Sequence, residues 1–320
     1  MRLITFVLPA ICALLSACTT QPLDSKLAYI TNQGANSVSV INTQTHQIAA
    51  TVQVGRAPVG VAVSTRLQRA FITNVESQTI SVINTQTQQV IDSIAIGGSP
   101  VGIALSPDAK MLFVADWFSD KIIAINTADF KQRRELIVPK APAGLVVSPD
   151  SKTLYVALRD SDEIAVIDAK DLTVVKRQKV GKHPFGLSLS ANGAQLYVVN
   201  VQDNTVSIID TKNWHLKTVK SGDHPYCAAV TPDGKLLFIT NTLDDTVSVI
   251  DLTTLSTKTT INVGQTPEGI AFDANNQQML VANWGSNNVS VIDIATLKVT
   301  HTIATGDKSR AFGLFISKDE

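Results

Sequence analysis

Ala70-Phe71-Ile72-Thr73-Asn74 and, six residues further on, Ile80-Ser81-Val82-Ile83-Asn84 decide the fold, because this pair of segments recurs along the whole chain. Counterparts of the first begin at Ala28, Leu112, Leu154, Leu196, Leu237 and Met279, at intervals of 42 residues with one of 41. Counterparts of the second end at Asn42, Asn126, Asp168, Asp210, Asp251 and Asp293. Short β-branched runs at even spacing, separated by Asn, Asp, Gly and Pro, read as strands joined by tight turns. Each repeat holds four such runs, named A to D here; in one copy they cover 59–64, 70–74, 80–84 and 90–96. Run A is apolar or small on both faces, as expected for a strand sandwiched between neighbours. Run D is polar, as in Lys131 to Glu135 and Lys176 to Lys179, which suits an outer edge in water that must avoid pairing with other chains. Sustained helical periodicity is absent after Cys18.

Seven repeats of about 42 residues with four strands each predict an all-β, seven-bladed β-propeller over residues 27–317. The phase of the repeat predicts how the ring closes. The first copy starts at run B, whereas the last run, Ala311-Phe312-Gly313-Leu314-Phe315-Ile316-Ser317, matches the A run Pro184-Phe185-Gly186-Leu187-Ser188-Leu189-Ser190. Six blades are therefore continuous, and the seventh joins the C-terminal strand to the three N-terminal ones, removing a free edge.

The motif Gly-x-x-Pro-x-Gly-Ile/Val-Ala-x-Ser-Pro-Asp, seen at 97–108, precedes Leu-Tyr/Phe-Val-Ala-Asn and Val-Ser-Val-Ile-Asp-Thr. The WD signature and the kelch diglycine are missing. The chain resembles the YVTN-type, YncE-like propeller repeat family, which includes periplasmic and surface-layer proteins, and the likeness covers essentially all of 27–317. A propeller hosts many functions, so the resemblance implies the fold far more than an activity.

The N-terminus reads as a targeting segment. Arg2 precedes an apolar stretch from Leu3 to Leu15, too short for a comfortable membrane span. It ends in Leu15-Ser16-Ala17-Cys18, which resembles the bacterial lipobox. That likeness implies a signal peptide at 1–17, lipid on Cys18 and a tether at 18–26, with a short tail at 318–320. Thr19 is not the Asp associated with inner-membrane retention, so the expected place is the outer membrane, facing the periplasm. Cys12 leaves with the signal and Cys18 carries lipid, leaving Cys227 as the lone thiol of the mature domain, so no internal disulfide can form. Lys plus Arg equals Asp plus Glu at 27 each, a balance that argues against a general nucleic-acid binder. A monomer is expected.

Site candidates follow from the departures from repeat symmetry. Meandering strands put the D–A and B–C loops on one face, with A innermost. The slot before the A-run proline reads Ala57, Ser99, Ala141, His183, His224, Thr266 and Arg310. The slot after it reads Val59, Val101, Ala143, Phe185, Tyr226, Glu268 and Phe312. Polar groups and aromatics converging at a concave channel mouth make the default binding-site hypothesis. The imidazoles and the Arg310 guanidinium suit an anionic ligand; alternatively His183, His224 and Glu268 offer ligand types that a divalent metal takes. Trp117 and Trp284, at equivalent B–C loop positions, can stack a ring or plug the packing. The recurrent Asn at the end of run B (Asn32, Asn74, Asn200, Asn241, Asn283) is expected to bond backbone at its own turn. Cys227 replaces a glycine found in the other blades and reads as a packing residue.

No nucleophile elbow, phosphate loop, dinucleotide fingerprint or haem-attachment motif is present, and no cofactor is expected. The leading reading is a membrane-anchored scaffold that binds a protein or small ligand on the top face. The alternatives are a propeller enzyme, lactonase-like or a metal-assisted lyase, and, by family resemblance, a redox-associated or single-stranded-DNA-binding propeller.

Overall fold

The computed structural model describes residues 27–317 apart from residue 276. The leader, Cys18 and its tether, and the tail after 317 lie outside the described residues. The chain forms the seven-bladed propeller, with four antiparallel strands per blade. Strands A to D of blade 1 are Pro58–Ser64, Arg69–Asn74, Thr79–Asn84 and Gln89–Ala95. Blades 2 to 6 repeat this at 100–137, 142–179, 184–220, 225–262 and 267–304. The A strands of successive blades touch all the way round the ring.

Alternation explains the layering. In strands B and C almost every residue is buried, because both sheet faces pack against neighbouring blades, as with Ile72, Val82 and Ile83. Each such aliphatic side chain, fully buried, stabilises the fold by roughly 1.5–3 kcal/mol. Strand D has water on its outer side and is largely exposed in every blade. The C–D turn is closed by the Asn or Asp that ends strand C. Asn42 Oδ1 accepts the N–H groups of Gln44 and Thr45, and Asp210 accepts those of Lys212 and Asn213.

The strand-B asparagines do something other than the expected local turn bonding. Asn32, Asn74, Asn200, Asn241 and Asn283 are fully buried and donate to strand C, and Asn32, Asn200 and Asn241 also accept an N–H from the loop entering strand A. Asn241 Nδ2 donates to Thr246 Oγ1 and Ser248 Oγ on strand C, each at 2.9 Å, while its Oδ1 accepts the N–H of Gly222 in the loop entering strand A. Asn32, Asn74 and Asn200 likewise bond two strand-C hydroxyls, and Asn283 bonds Asn288 and Ser290. Where the sequence has Asp116 or Leu158 instead, the two strand-C positions read Lys121 and Ile123, or Glu163 and Ala165. A carboxylate has no N–H for a hydroxyl to accept, so the residues change together.

Blade 7 closes as the repeat phase requires, with one irregularity. Its strands B, C and D are Leu27–Asn32, Ser37–Asn42 and Gln47–Gln53. The C-terminal segment supplies strand A: Tyr29 N–H donates to Phe315 O at 2.8 Å, Arg310 N–H to Thr31 O at 2.7 Å and Ser317 N–H to Leu27 O at 3.0 Å. Ser309 stands opposite Asn32 and Ile316 opposite Ala28, whereas in blade 1 Pro58 stands opposite Asn74 and Val63 opposite Ala70. The last inner strand thus carries two residues more than the others between matching pairs. The surplus bulges inward, and Phe312–Leu314 pairs in parallel with residues 60–62 of blade 1. Gly313 sits at φ +115°, and a Cβ there would lie 2.5 Å from Val61 O, so the bulge requires glycine.

Candidate functional site at the centre of the ring

The loops entering the A strands share one construction. The residue before the A-strand proline adopts a left-handed conformation in Ala57, Ala141, His183, His224 and Thr266. Its N–H donates to an Asn or Asp in the B–C loop of the preceding blade, as His183 to Asp162 and His224 to Asn204. Its carbonyl accepts from the next loop, as Val201 N–H to His183 O. In blade 7 these roles fall to Lys308, whose N–H donates to Asn287 Oδ1 and whose carbonyl accepts from Gln33. Arg310 is therefore not the seventh member of the slot. It belongs to the two-residue surplus, which the match of 311–317 to 184–190 concealed.

That displacement changes what Arg310 does. Its guanidinium forms a two-pronged pair with the Glu268 carboxylate of blade 6, Nη2 to Oε1 at 3.1 Å with a shorter contact from Nε to Oε2. Nη2 also donates to Tyr226 OH of blade 5 at 2.7 Å, and Nη1 to Gln33 Oε1 of blade 7 at 3.3 Å. The two charged side chains are only 17% and 10% exposed. Burial raises the Glu268 carboxyl above the ordinary range, opposed by the Arg310 charge. Burial works against the charge on Arg310, but Tyr226 and Glu268 outweigh it and hold the guanidinium protonated. Burial also pushes the Tyr226 hydroxyl and the Cys227 thiol up, so both stay protonated.

The aromatics fill the axis. The Phe185 ring lies 4.4 Å from Tyr226, 4.9 Å from Phe312 and 5.6 Å from Trp117. Phe185 and Phe312 are each 5% exposed, and Val59 and Ala143 complete the circle, also buried. The expected concave mouth is thus a plug. Phe185, Tyr226, Glu268, Arg310 and Trp117 are brought together, and they satisfy one another.

His183 and His224 stay out of this cluster. His183 is half-buried; His224 is exposed, its Nδ1 3.1 Å from Asp223 Oδ1. Glu268 is taken by Arg310, and among the described residues no three His, Cys, Asp or Glu side chains gather as a metal site needs. Trp284 Nε1 donates to Gln33 Oε1 at 3.1 Å under Lys308, and Trp117 carries Arg159 over its ring at 5.2 Å. Both tryptophans are therefore covered by cations. What the upper face does expose is Phe118, at 78%, and Leu243, at 62%. Their B–C loop slot reads Gly34, Glu76, Asp160, Gln202 and Gly285 in the other blades. Two apolar residues in a polar slot are a signal already present in the sequence.

The chain's similarities agree with this architecture. The profile of the YNCE-like beta-propeller matches residues 62–148 and 186–264, more than half of the chain, and that of the seven-bladed lactonase propeller matches 122–222. No curated protein matches. Among solved structures, a chain of Kuenenia stuttgartiensis hydrazine synthase is 22% identical, with a TM-score of 0.78, covering 89% of this chain and 99% of that one. A functionally unknown protein from Desulfotomaculum acetoxidans is 17% identical, with a TM-score of 0.80, covering 92% and 100%. The dihydro-heme d1 dehydrogenase NirN is 17% identical, with a TM-score of 0.68, covering 89% and 64%. At these identities the likeness is one of fold.

Proposed function

This chain belongs to the YncE-like β-propeller family, and we propose that it acts as a lipid-anchored scaffold of the cell envelope that holds a protein partner on its upper face. The observation that carries this reading is the closed centre. The groups best suited to chemistry or to gripping a small ligand, Arg310, Glu268 and Tyr226, are bonded to one another, with Glu268 buried and the other two partly so. What remains for recognition is a rim of rigid loops crowned by Phe118 and Leu243, with His183 and His224 between polar neighbours. Exposed aromatic and aliphatic side chains amid polar loops are the usual composition of a protein-binding face.

The lactonase-like reading draws less support. The matched segment, 122–222, contains neither Glu268 nor Arg310, the acid and the cation a central site would use. The hydrazine synthase and NirN chains share the fold, and no haem-attachment motif occurs here.

Photo-crosslinkers placed at Phe118 and Leu243, and for comparison at Asn192 and Lys235 in the A–B loops, test the proposal in cells. One adduct of discrete size from the upper positions alone is expected. Equal labelling from both faces, or turnover of a lactone panel that Glu268→Gln abolishes, would overturn it. A Cys18→Ser variant that stays in the membrane pellet would remove the anchor from the reading.

A further inference from the structure

The chain is neutral overall, yet its charge is unevenly placed. Three consecutive outer strands with the turns leading into them, residues 127–137, 169–179 and 211–220, carry ten of the 27 Lys and Arg against three carboxylates. The corresponding segments of the other four blades, 43–53, 85–95, 252–262 and 294–304, carry two Lys and one Asp. Protection of outer edges from aggregation does not explain this, since all seven edges need it and four are nearly uncharged.

Contacts on this wall hold the cations in place. Arg133 donates to Ala95 O of blade 1 at 2.9 Å and Arg134 to Lys170 O of blade 3 at 2.7 Å, so each guanidinium spans two blades through a backbone carbonyl. Lys176 of blade 3 lies 4.9 Å from the Trp214 ring of blade 4. Arg177 and Lys179 share Glu163, whereas among the described residues Arg134, Lys170 and Lys217 have no carboxylate partner. A groove of about 420 Å³ lined by Lys131 and Arg133, with Asp92, flanks the wall at one end, and one of about 360 Å³ lined by His215 and Lys217, with Asp210, at the other.

We propose that the outer wall of blades 2 to 4 binds a flexible acidic polysaccharide. Successive blades are turned by a seventh of a circle, so a rigid flat partner meets one strand while a flexible chain follows all three. Single-stranded nucleic acid would need open aromatic faces for its bases; here Trp214 lies under Lys176 and Phe130 under Arg69. Carboxylates along a sugar chain need the cations alone. The binding is multivalent, electrostatic and salt-sensitive.

The test uses the full mature chain and alginate as the probe, with binding followed by fluorescence anisotropy at low and physiological salt. Arg134→Glu/Lys176→Glu/Lys217→Glu should weaken binding at least tenfold, with the melting temperature of the parent. Lys258→Glu/Lys298→Glu, on the outer strands of blades 5 and 6, should leave binding unchanged. Equal binding by the triple variant, equal loss in the control pair, or tighter binding of oligodeoxythymidine or polyglutamate at matched charge would each overturn the proposal. Failure here leaves the upper-face reading intact, because the two surfaces share no residue.

Discussion

Replacing Arg310 by Ala is the sharpest perturbation of this fold. The change leaves the Glu268 carboxylate, 8% exposed as a residue, without its counter-charge, and takes the acceptor-seeking guanidinium away from Tyr226 and Gln33. Breaking a buried pair by removing one partner costs about 3–5 kcal/mol. In a domain of this size that lowers the melting temperature by roughly 10 °C. Arg310→Met/Glu268→Leu, which removes both charges, should regain most of the loss, since apolar replacement of a buried pair is close to neutral. A pH series adds an independent readout. Burial already raises the Glu268 carboxyl, and loss of the opposing Arg310 raises it further. An acid whose folded-state value lies above its unfolded one stabilises the fold only while protonated. The Arg310→Ala variant should therefore be most stable in mild acid and lose stability as the pH rises towards neutrality. Melting followed by circular dichroism from pH 4 to 8 reads all of this. An Arg310→Ala protein that melts within 2 °C or so of the parent at every pH, or a double variant no better than the single, would refute the view of Arg310 as a clamp.

Other outcomes follow from features repeated around the ring. Removing residues 308–320 should lower the melting of the whole ring in one cooperative step, read by calorimetry, because the inner strand of blade 7 goes with them. Asn241→Leu should cost about 1–3 kcal/mol in urea titrations by leaving Gly222 N–H and two strand-C hydroxyls unpaired. Backbone N–H groups hold Asp210 and Asp251 below the usual carboxylate range, and the Thr296 hydroxyl does so for Asp293. Their stabilisation is present above the ordinary aspartate value and is lost as pH falls through the lowered ones. Asp210→Asn/Asp251→Asn/Asp293→Asn, which copies Asn42, Asn84 and Asn126, should flatten the acid limb of a stability–pH curve by lowering stability at neutral pH, where the charge-assisted bonds are lost. Cys227, its thiol pushed up by burial, should resist Ellman's reagent until denaturant opens the ring.

The blade count, the strand order and the closure by the two chain ends were legible because hydrophobic alternation and turn residues are local and repeat seven times. The strand-B asparagines were legible as positions but not as clamps. Their partners lie five and seven residues on, and the covariation of Asp116 with Lys121 and Ile123 shows the link only once the strands are paired. The centre was misjudged through one local cause. Ala311 to Ser317 align well with a proline-led inner strand, so the surplus at 310–311 is invisible until hydrogen bonds place Ser309 opposite Asn32. A two-residue displacement turned a supposed ligand anchor into an internal ion pair. The basic outer wall escaped because whole-chain charge averages it away, and only the ring order puts blades 2 to 4 side by side.

The hydrogen bonds between Leu27 and Ser317 join residues 290 apart in the chain. The first strands to leave the ribosome must therefore wait for the last before their inner edge is covered. Throughout synthesis the unfinished molecule is an arc with an adhesive N-terminal flank, and long-range closure of this kind is slow. A chain that stops before residue 309 stays such an arc. Completion of the ring is thus a check that the chain has been made through Ser317, and a copy that stops before it presents an open strand edge by which quality-control proteases and holding chaperones can recognise it.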